Sequence, residues 1–165
     1  MVDAVISFFQ ESVRNPQLIT FFLAMLPITE LRVALPWGMT LGGLEWYSAY
    51  FWSVAGNYVI ALIILFFLEP VSSWLRQWKL WDRFFSWLFA RTRRKGKLVE
   101  TFEFWGLVLF VGIPLPVTGA WTGCVAAFIF GLVYRKSIFA ILLGLILSAT
   151  VVTILTTTGK LLISM

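Results

Sequence analysis

The sequence predicts an all-α integral membrane protein: two inverted-topology repeats, each a re-entrant helical hairpin followed by one transmembrane helix, joined by an amphipathic cytoplasmic helix. Three observations predict it. Of 165 residues, 60% are hydrophobic, 18% aromatic and only 13% charged, whereas soluble domains average about 45–50% apolar and about 25% charged. The apolar stretches are of two kinds, two uninterrupted and two broken by proline, glycine or charge. Broken and unbroken stretches then recur in the same order at an offset of 89 residues. A mean hydropathy of +0.90 agrees with a chain whose outer surface meets lipid.

Residues 1–15 open with "MVDAVISFFQESVR", a short apolar run without a basic segment before it. This is the pattern of an interfacial amphipathic helix and not of a signal peptide. The first repeat covers 16–69. Its hairpin, 17–44, is interrupted by Pro27, Glu30, Arg32 and Pro36. Proline lacks a backbone donor and disfavours helix in the residue before it, so the chain is expected to turn at Pro27 and Pro36. A helix over 17–26 would be about 15 Å long, half of the bilayer core. Residues 46–68 carry no charge and match the roughly 20 residues needed to cross about 30 Å of hydrocarbon.

The segment 70–103 is the expected linker. Trp74, Trp78, Trp81, Phe85 and Leu88 share one helical face, Arg76, Lys79 and Arg83 the other. Eight of the 13 Lys and Arg residues fall between Arg76 and Lys97, which places this linker on the cytoplasmic side and accounts for the local excess behind the net charge of +5. Such a cluster beside membrane segments argues against nucleic acid as a partner. The second repeat, 104–160, has a hairpin over 104–133, with turns expected at Pro114 and Pro116, and a span over 137–158.

"LPITELRVALPWGMTLGGLEWYS" aligns without a gap on "LPVTGAWTGCVAAFIFGLVYRKS", with Leu26/Leu115, Pro27/Pro116, Thr29/Thr118, Gly42/Gly131 and Ser48/Ser137 identical. A hairpin does not cross and the span after it crosses once, so the second unit starts on the opposite side and is inverted. With the linker in the cytoplasm, the first hairpin enters from outside and the second from inside. Their tips should meet near the midplane, the plan by which transporters bind at mid-depth.

That convergence selects the candidate site. Glu30 and Arg32 lie just past the first turn, where a charge is costly and marks a substrate or ion path. Arg32 suits an anionic group; Glu30 suits a coupling proton or the orienting of Arg32. In the second hairpin Gly119 and Trp121 stand at the matching positions, beside the hydroxyls of Thr118 and Thr122. Helices starting near Thr29 and Thr118 would aim positive dipole ends at an anion. Asn57 shares a face with Ser53, and Thr150 with Thr153 and Thr157; either set could line the path or join helices. Gly38 and Gly42, like Gly119 and Gly123, are expected to pack closely. The chain has no histidine and one cysteine, Cys124. A metal site, a cofactor and histidine-based catalysis are therefore not expected.

"PITELRVALPWG", Pro27 to Gly38, followed by "PLPVTGAWTG", Pro114 to Gly123, resembles the putative small multidrug export protein family of prokaryotes. The resemblance covers nearly the whole chain, and in hairpin plan that family is similar to DedA-type membrane proteins. It implies a multi-pass protein of the inner or plasma membrane, with Glu30 and Arg32 the leading pair. No charge lies between Trp105 and Tyr134, so a DedA-type arginine in the second hairpin has no counterpart. The expected activity is export of a small amphiphilic or anionic substrate, with possible proton coupling. Flipping of phosphorylated lipid carriers such as polyprenyl phosphate, or a structural or regulatory role, are the alternatives. Two full spans are few for a complete path, so a homodimer in contact with membrane lipid is expected, through the Gly38/Gly42 or Gly119/Gly123 faces.

Overall fold

The computed structural model describes residues 15–75, 77–78, 97–115 and 118–164. Six helices form among them: α1 Pro16–Met25, α2 Glu30–Thr40, α3 Trp46–Leu75, α4 Lys97–Gly112, α5 Ala120–Phe130 and α6 Tyr134–Ser164. The expected interfacial helix before Asn15, most of the amphipathic linker and Pro116 lie outside the described residues.

Each broken stretch is a helix, an interruption and a second helix. Asn15 caps α1 by accepting from the Gln17 N–H at 2.9 Å, and Pro16 sits at its first turn, where a missing donor does no harm. The helix ends at Met25 because Pro27 pushes Leu26 out of the helical region, to ψ 140°. At 10 and 11 residues, α1, α2 and α5 are each about 15–17 Å long. None covers the hydrocarbon core. Both second helices lead into a left-handed glycine, Gly43 at φ 64° and Gly131 at φ 70°, which turns the chain toward its long helix.

The long helices differ in kind. Trp46–Leu68 and Tyr134–Gly159 are long and apolar enough to cross a membrane, and only 28% and 39% of their most apolar windows are buried within the chain. Phe51, Phe66, Ile154 and Leu155 point outward. A soluble core helix would hide such a face; these need lipid against it.

Displaced by 89 residues, Glu30–Thr40 falls on 119–129 and Trp46–Leu75 on 135–164, within one residue of α5 and α6. Packing repeats as well. α1 lies on α3 as α4 lies on α6; α2 on α6 as α5 on α3; α3 and α6 lie on one another. Gly56 and Gly144 serve the same approach: a Cβ would meet the Phe21 carbonyl oxygen of α1 at 2.2 Å in one case, the Val108 carbonyl oxygen of α4 at 2.9 Å in the other. The buried centre follows these contacts, with Leu31, Leu35, Ala49 and Ala149 on one side and Leu107, Val111, Ala120 and Ile141 on the other.

Two expectations are corrected. Pro36 makes no turn: it sits inside α2, whose neighbours Ala34, Leu35 and Trp37 are buried and hold the helix through it. The segment expected as the linker is helical at both ends, since α3 continues through Pro70 to Leu75 and α4 begins at Lys97. The small residues do pack closely: a Cβ on Gly38 would meet Thr20 Oγ1 at 2.9 Å, one on Gly42 the Gly38 carbonyl oxygen at 2.9 Å, and one on Gly123 Val111 Cγ2 at 2.5 Å.

Candidate functional site

The two interruptions meet. Leu26–Thr29 and Ile113–Gly119 bring the ends of α1 and α4 and the starts of α2 and α5 into contact, and the bonds that cross are specific. Arg32 Nη2 donates to Thr118 Oγ1 at 2.9 Å. The Trp121 indole N–H donates to the Met25 carbonyl at 3.0 Å. The Glu30 carboxylate lies against Gly119, at the start of α5.

The last contact explains two oddities of the backbone. Glu30 is the only non-glycine residue with positive φ among the described residues, at 44°. That conformation is unfavourable for a side chain with a Cβ and survives only where its surroundings enforce it. It aims the carboxylate at the start of α5, whose first N–H groups have no partner within the helix. A Cβ on Gly119 would lie 1.9 Å from Glu30 Oε2, so only glycine leaves room for the acid. Gly119 itself is extended, at φ 170°. It is required for space and not for its dihedral freedom.

Each tip is also tied to itself. Thr29 is buried and its hydroxyl donates to the Leu23 carbonyl, closing the first turn onto the end of α1. Thr118 Oγ1 lies 2.9 Å from both the Ile113 and Leu115 carbonyls while accepting from Arg32. Thr122 Oγ1 accepts the Gly119 N–H at 3.0 Å. Thr122 therefore closes the first turn of its own helix and does not face the opposite tip.

Three buried polar atoms have no partner among the described residues: Arg32 Nε, Asn57 Oδ1 and Trp37 Nε1. Leaving a buried donor or acceptor unmade costs about 1–3 kcal/mol, more for a charged group. Asn57, 1% exposed, keeps its place as a buried polar group in the middle of α3. The α6 threonines behave otherwise. Thr150 and Thr153 return their hydroxyls to Ile146 and Ala149 of their own helix, and Thr157 is exposed. Only Thr150 reaches across, to the Tyr50 hydroxyl at 3.2 Å. Cys124, buried on α5, lies 3.5 Å from the Ala61 carbonyl of α3.

Of the residues selected from sequence, Glu30, Arg32, Thr118, Gly119 and Trp121 come together. Thr29 and Thr122 serve their own turns. What sequence reasoning missed is that Glu30 sits on the start of the opposite helix. The available signal was the glycine at 119, read as packing. The Met25 carbonyl had no signal, since any residue carries one.

A family model described as putative small multi-drug export protein matches residues 30–151. The chain belongs to that family. Its first matched residue is Glu30, and the match runs through both tips and both long helices. No curated protein and no solved structure matches the chain. Two long apolar helices in a member of an export-protein family make this a membrane protein.

Proposed function

We propose that the chain is a transporter of the inner membrane whose hairpins enter from opposite faces as an inverted repeat. On this reading the substrate passes between the tips and is amphiphilic with an anionic group. The observation that carries it is the Arg32–Thr118 contact: a cation held across the gap between two interrupted helices, its Nε without a partner. Interrupted backbone and charge at mid-depth are tolerated where they line a protein-enclosed path. The repeated packing of the two units and their matched helix bounds support inversion, because a non-crossing hairpin plus one span reverses sidedness at each repeat.

The apolar half of the substrate has a counterpart too. Ile28 and Leu115, in the two interruptions, are 63% and 54% exposed, and Arg32 is half-buried. Tips that carry both a cation and bare aliphatic side chains suit a molecule with both characters. Glu30, whose charge acts on Arg32, is the group suited to carry a coupling proton. Phosphorylated lipid carriers satisfy the same chemistry, which makes flipping the second reading.

Both are tested in liposomes containing the purified protein, with the basic segment toward the lumen or away from it scored by protease accessibility. Uptake of soluble anionic and cationic dyes is measured beside flipping of a headgroup-labelled phospholipid. Glu30→Gln and Arg32→Ala are expected to abolish whichever activity is found while leaving monodisperse protein. Wild-type rates in either variant would remove these residues from the path.

A further inference from the structure

We propose that Asn57 completes a proton site with Glu30: when Glu30 takes up a proton, its new O–H donates to Asn57 Oδ1, and loss of that proton to water breaks the bond. This rests on the transport reading above and names the second residue of its coupling-proton site.

Helix register brings the two residues to one place. A Cβ on Gly38 of α2 would lie 3.2 Å from the Ala49 Cβ of α3. These helices run antiparallel, so eight residues back from Gly38 and eight on from Ala49 set Glu30 level with Asn57. A second contact agrees. The Cys124 thiol of α5 lies 3.5 Å from the Ala61 carbonyl of α3. One turn earlier on each helix stand Ala120 and Asn57, and Gly119, against which the Glu30 carboxylate lies, is the residue before Ala120. Acid and amide therefore converge on consecutive residues at the start of α5. Asn57 is 1% exposed and eleven residues from either end of the apolar span Trp46–Leu68. Along its face the core changes halves: Ala49 packs with Leu31 and Leu35, Ala61 with Leu107 and Ala120, and Ser53 and Asn57 lie between. Ser53 settles its hydroxyl on the Tyr50 carbonyl at 3.1 Å, whereas Asn57 Oδ1 has no partner among the described residues. An amide oxygen and a carboxylate are both acceptors, so they cannot bond one another. A proton on one carboxylate oxygen makes Glu30 a donor and satisfies both groups at once. Among the described residues around this pair, Arg32 is the one charge. α1 and residues 137–159 of α6 have no titratable side chain, α3 brings only Tyr50 and Tyr58 within two turns of Asn57, and α5 brings only Cys124. Phenols and thiols are neutral near pH 7.

The test is infrared titration of the full chain in phosphatidylcholine nanodiscs. The carbonyl stretch of the protonated acid is assigned to Glu30 by its loss in Glu30→Gln. In the wild type that band should stand at the lower frequency of a hydrogen-bonded acid. In Asn57→Leu, a near isostere, it should move to the higher frequency of a free one. Losing an acceptor that serves only the protonated form should also lower the midpoint of the band by about one pH unit. A free-acid band in the wild type, or a band and midpoint unmoved in Asn57→Leu, overturns the proton site. So does a raised midpoint, the mark of an amide N–H₂ or a water that holds the charged form instead. Thermal unfolding in detergent separates a merely structural role. Asn57→Leu should hold or raise the unfolding temperature, because the resting oxygen has no bond to lose; a lower temperature would show a partner already in place and sink the assignment. The bands are read without transport, so the two readings part. Shifts as expected without uptake or flipping in liposomes keep the proton site and remove the transporter. Uptake or flipping with unmoved bands does the reverse.

Discussion

The two hairpins share an 11-residue second helix, an equivalent packing arrangement and a turn motif, yet only the first carries charge at its tip. Its interruption is four residues, Leu26–Thr29, and the helix that follows opens with Glu30 and Arg32. The second interruption is seven residues, Ile113–Gly119, and α5 opens with alanine, tryptophan and threonine. The difference is complementarity. The first tip supplies an acid and a base; the second supplies a hydroxyl for the base and the space of a missing Cβ for the acid. The two units keep one scaffold and split their chemistry.

The comparison can be broken most directly at the base. Arg32→Gln removes the cation that reaches across to Thr118, and a hydrogen bond to a charged group contributes about 1.5–3 kcal/mol. Transport should fall roughly 100-fold in reconstituted vesicles, the equivalent of about 2.7 kcal/mol. A variant that is folded and active would mean the charged tip is structural.

The scaffold can be probed by paired glycines. Gly56→Ala drives a Cβ to 2.2 Å from a carbonyl oxygen on the backbone of α1, whereas Gly144→Ala meets Val111 Cβ at 2.7 Å and the Val108 carbonyl at 2.9 Å. Overpacking of this kind costs about 1–3 kcal/mol, with the first at the upper end and the second near the lower. Detergent unfolding curves measure both. Equal losses would show that the two units yield alike and that the close approach of α1 is not the tighter one.

Gly119→Ala sharpens the division of labour, with an expected loss of about 2 kcal/mol from overpacking. In a Glu30→Ala background the same change should be nearly free, a coupling of about 1 kcal/mol or more in a double-mutant cycle. Additive losses would mean the carboxylate does not occupy that space. The smallest effect expected is Trp121→Phe, which removes the indole donor to Met25 and should cost about 1 kcal/mol of stability. No change in the unfolding midpoint would remove that bond from the account of how the tips hold together.

Much of the scaffold was legible from residues. Pro27 ends α1 as it must, because its ring forbids helix at Leu26; charge-free runs gave both long helices; the 89-residue offset found α5 and α6 to within one residue. Pro36 misled, because a proline inside a helix is tolerated when its neighbours are buried, and burial is a property of contacts not yet formed. Gly38, Gly42 and Gly123 announced close approach but not by whom, and the neighbours at these glycines come from the same chain.

The candidate site divides along the same line. Glu30 and Arg32 could be selected because charge in an apolar run is conspicuous whatever surrounds it. The pairing across the tips could not be, since nothing in the identity of Thr118 or Gly119 says that it meets Arg32 or Glu30, and the Met25 carbonyl that takes the Trp121 indole leaves no trace in its residue.

By itself the sequence determined that α1 stops before Pro27, which helices are long enough to cross lipid, and that one tip is charged. These follow from local chemistry: missing donors, hydrophobic length and the expense of burying charge. Tertiary structure alone decided that the acid rests on the start of the opposite helix, that Gly119 makes room for it, and that the base reaches Thr118. Such contacts join residues 86 or more positions apart, and only the meeting of two separately folded tips brings them within hydrogen-bond range.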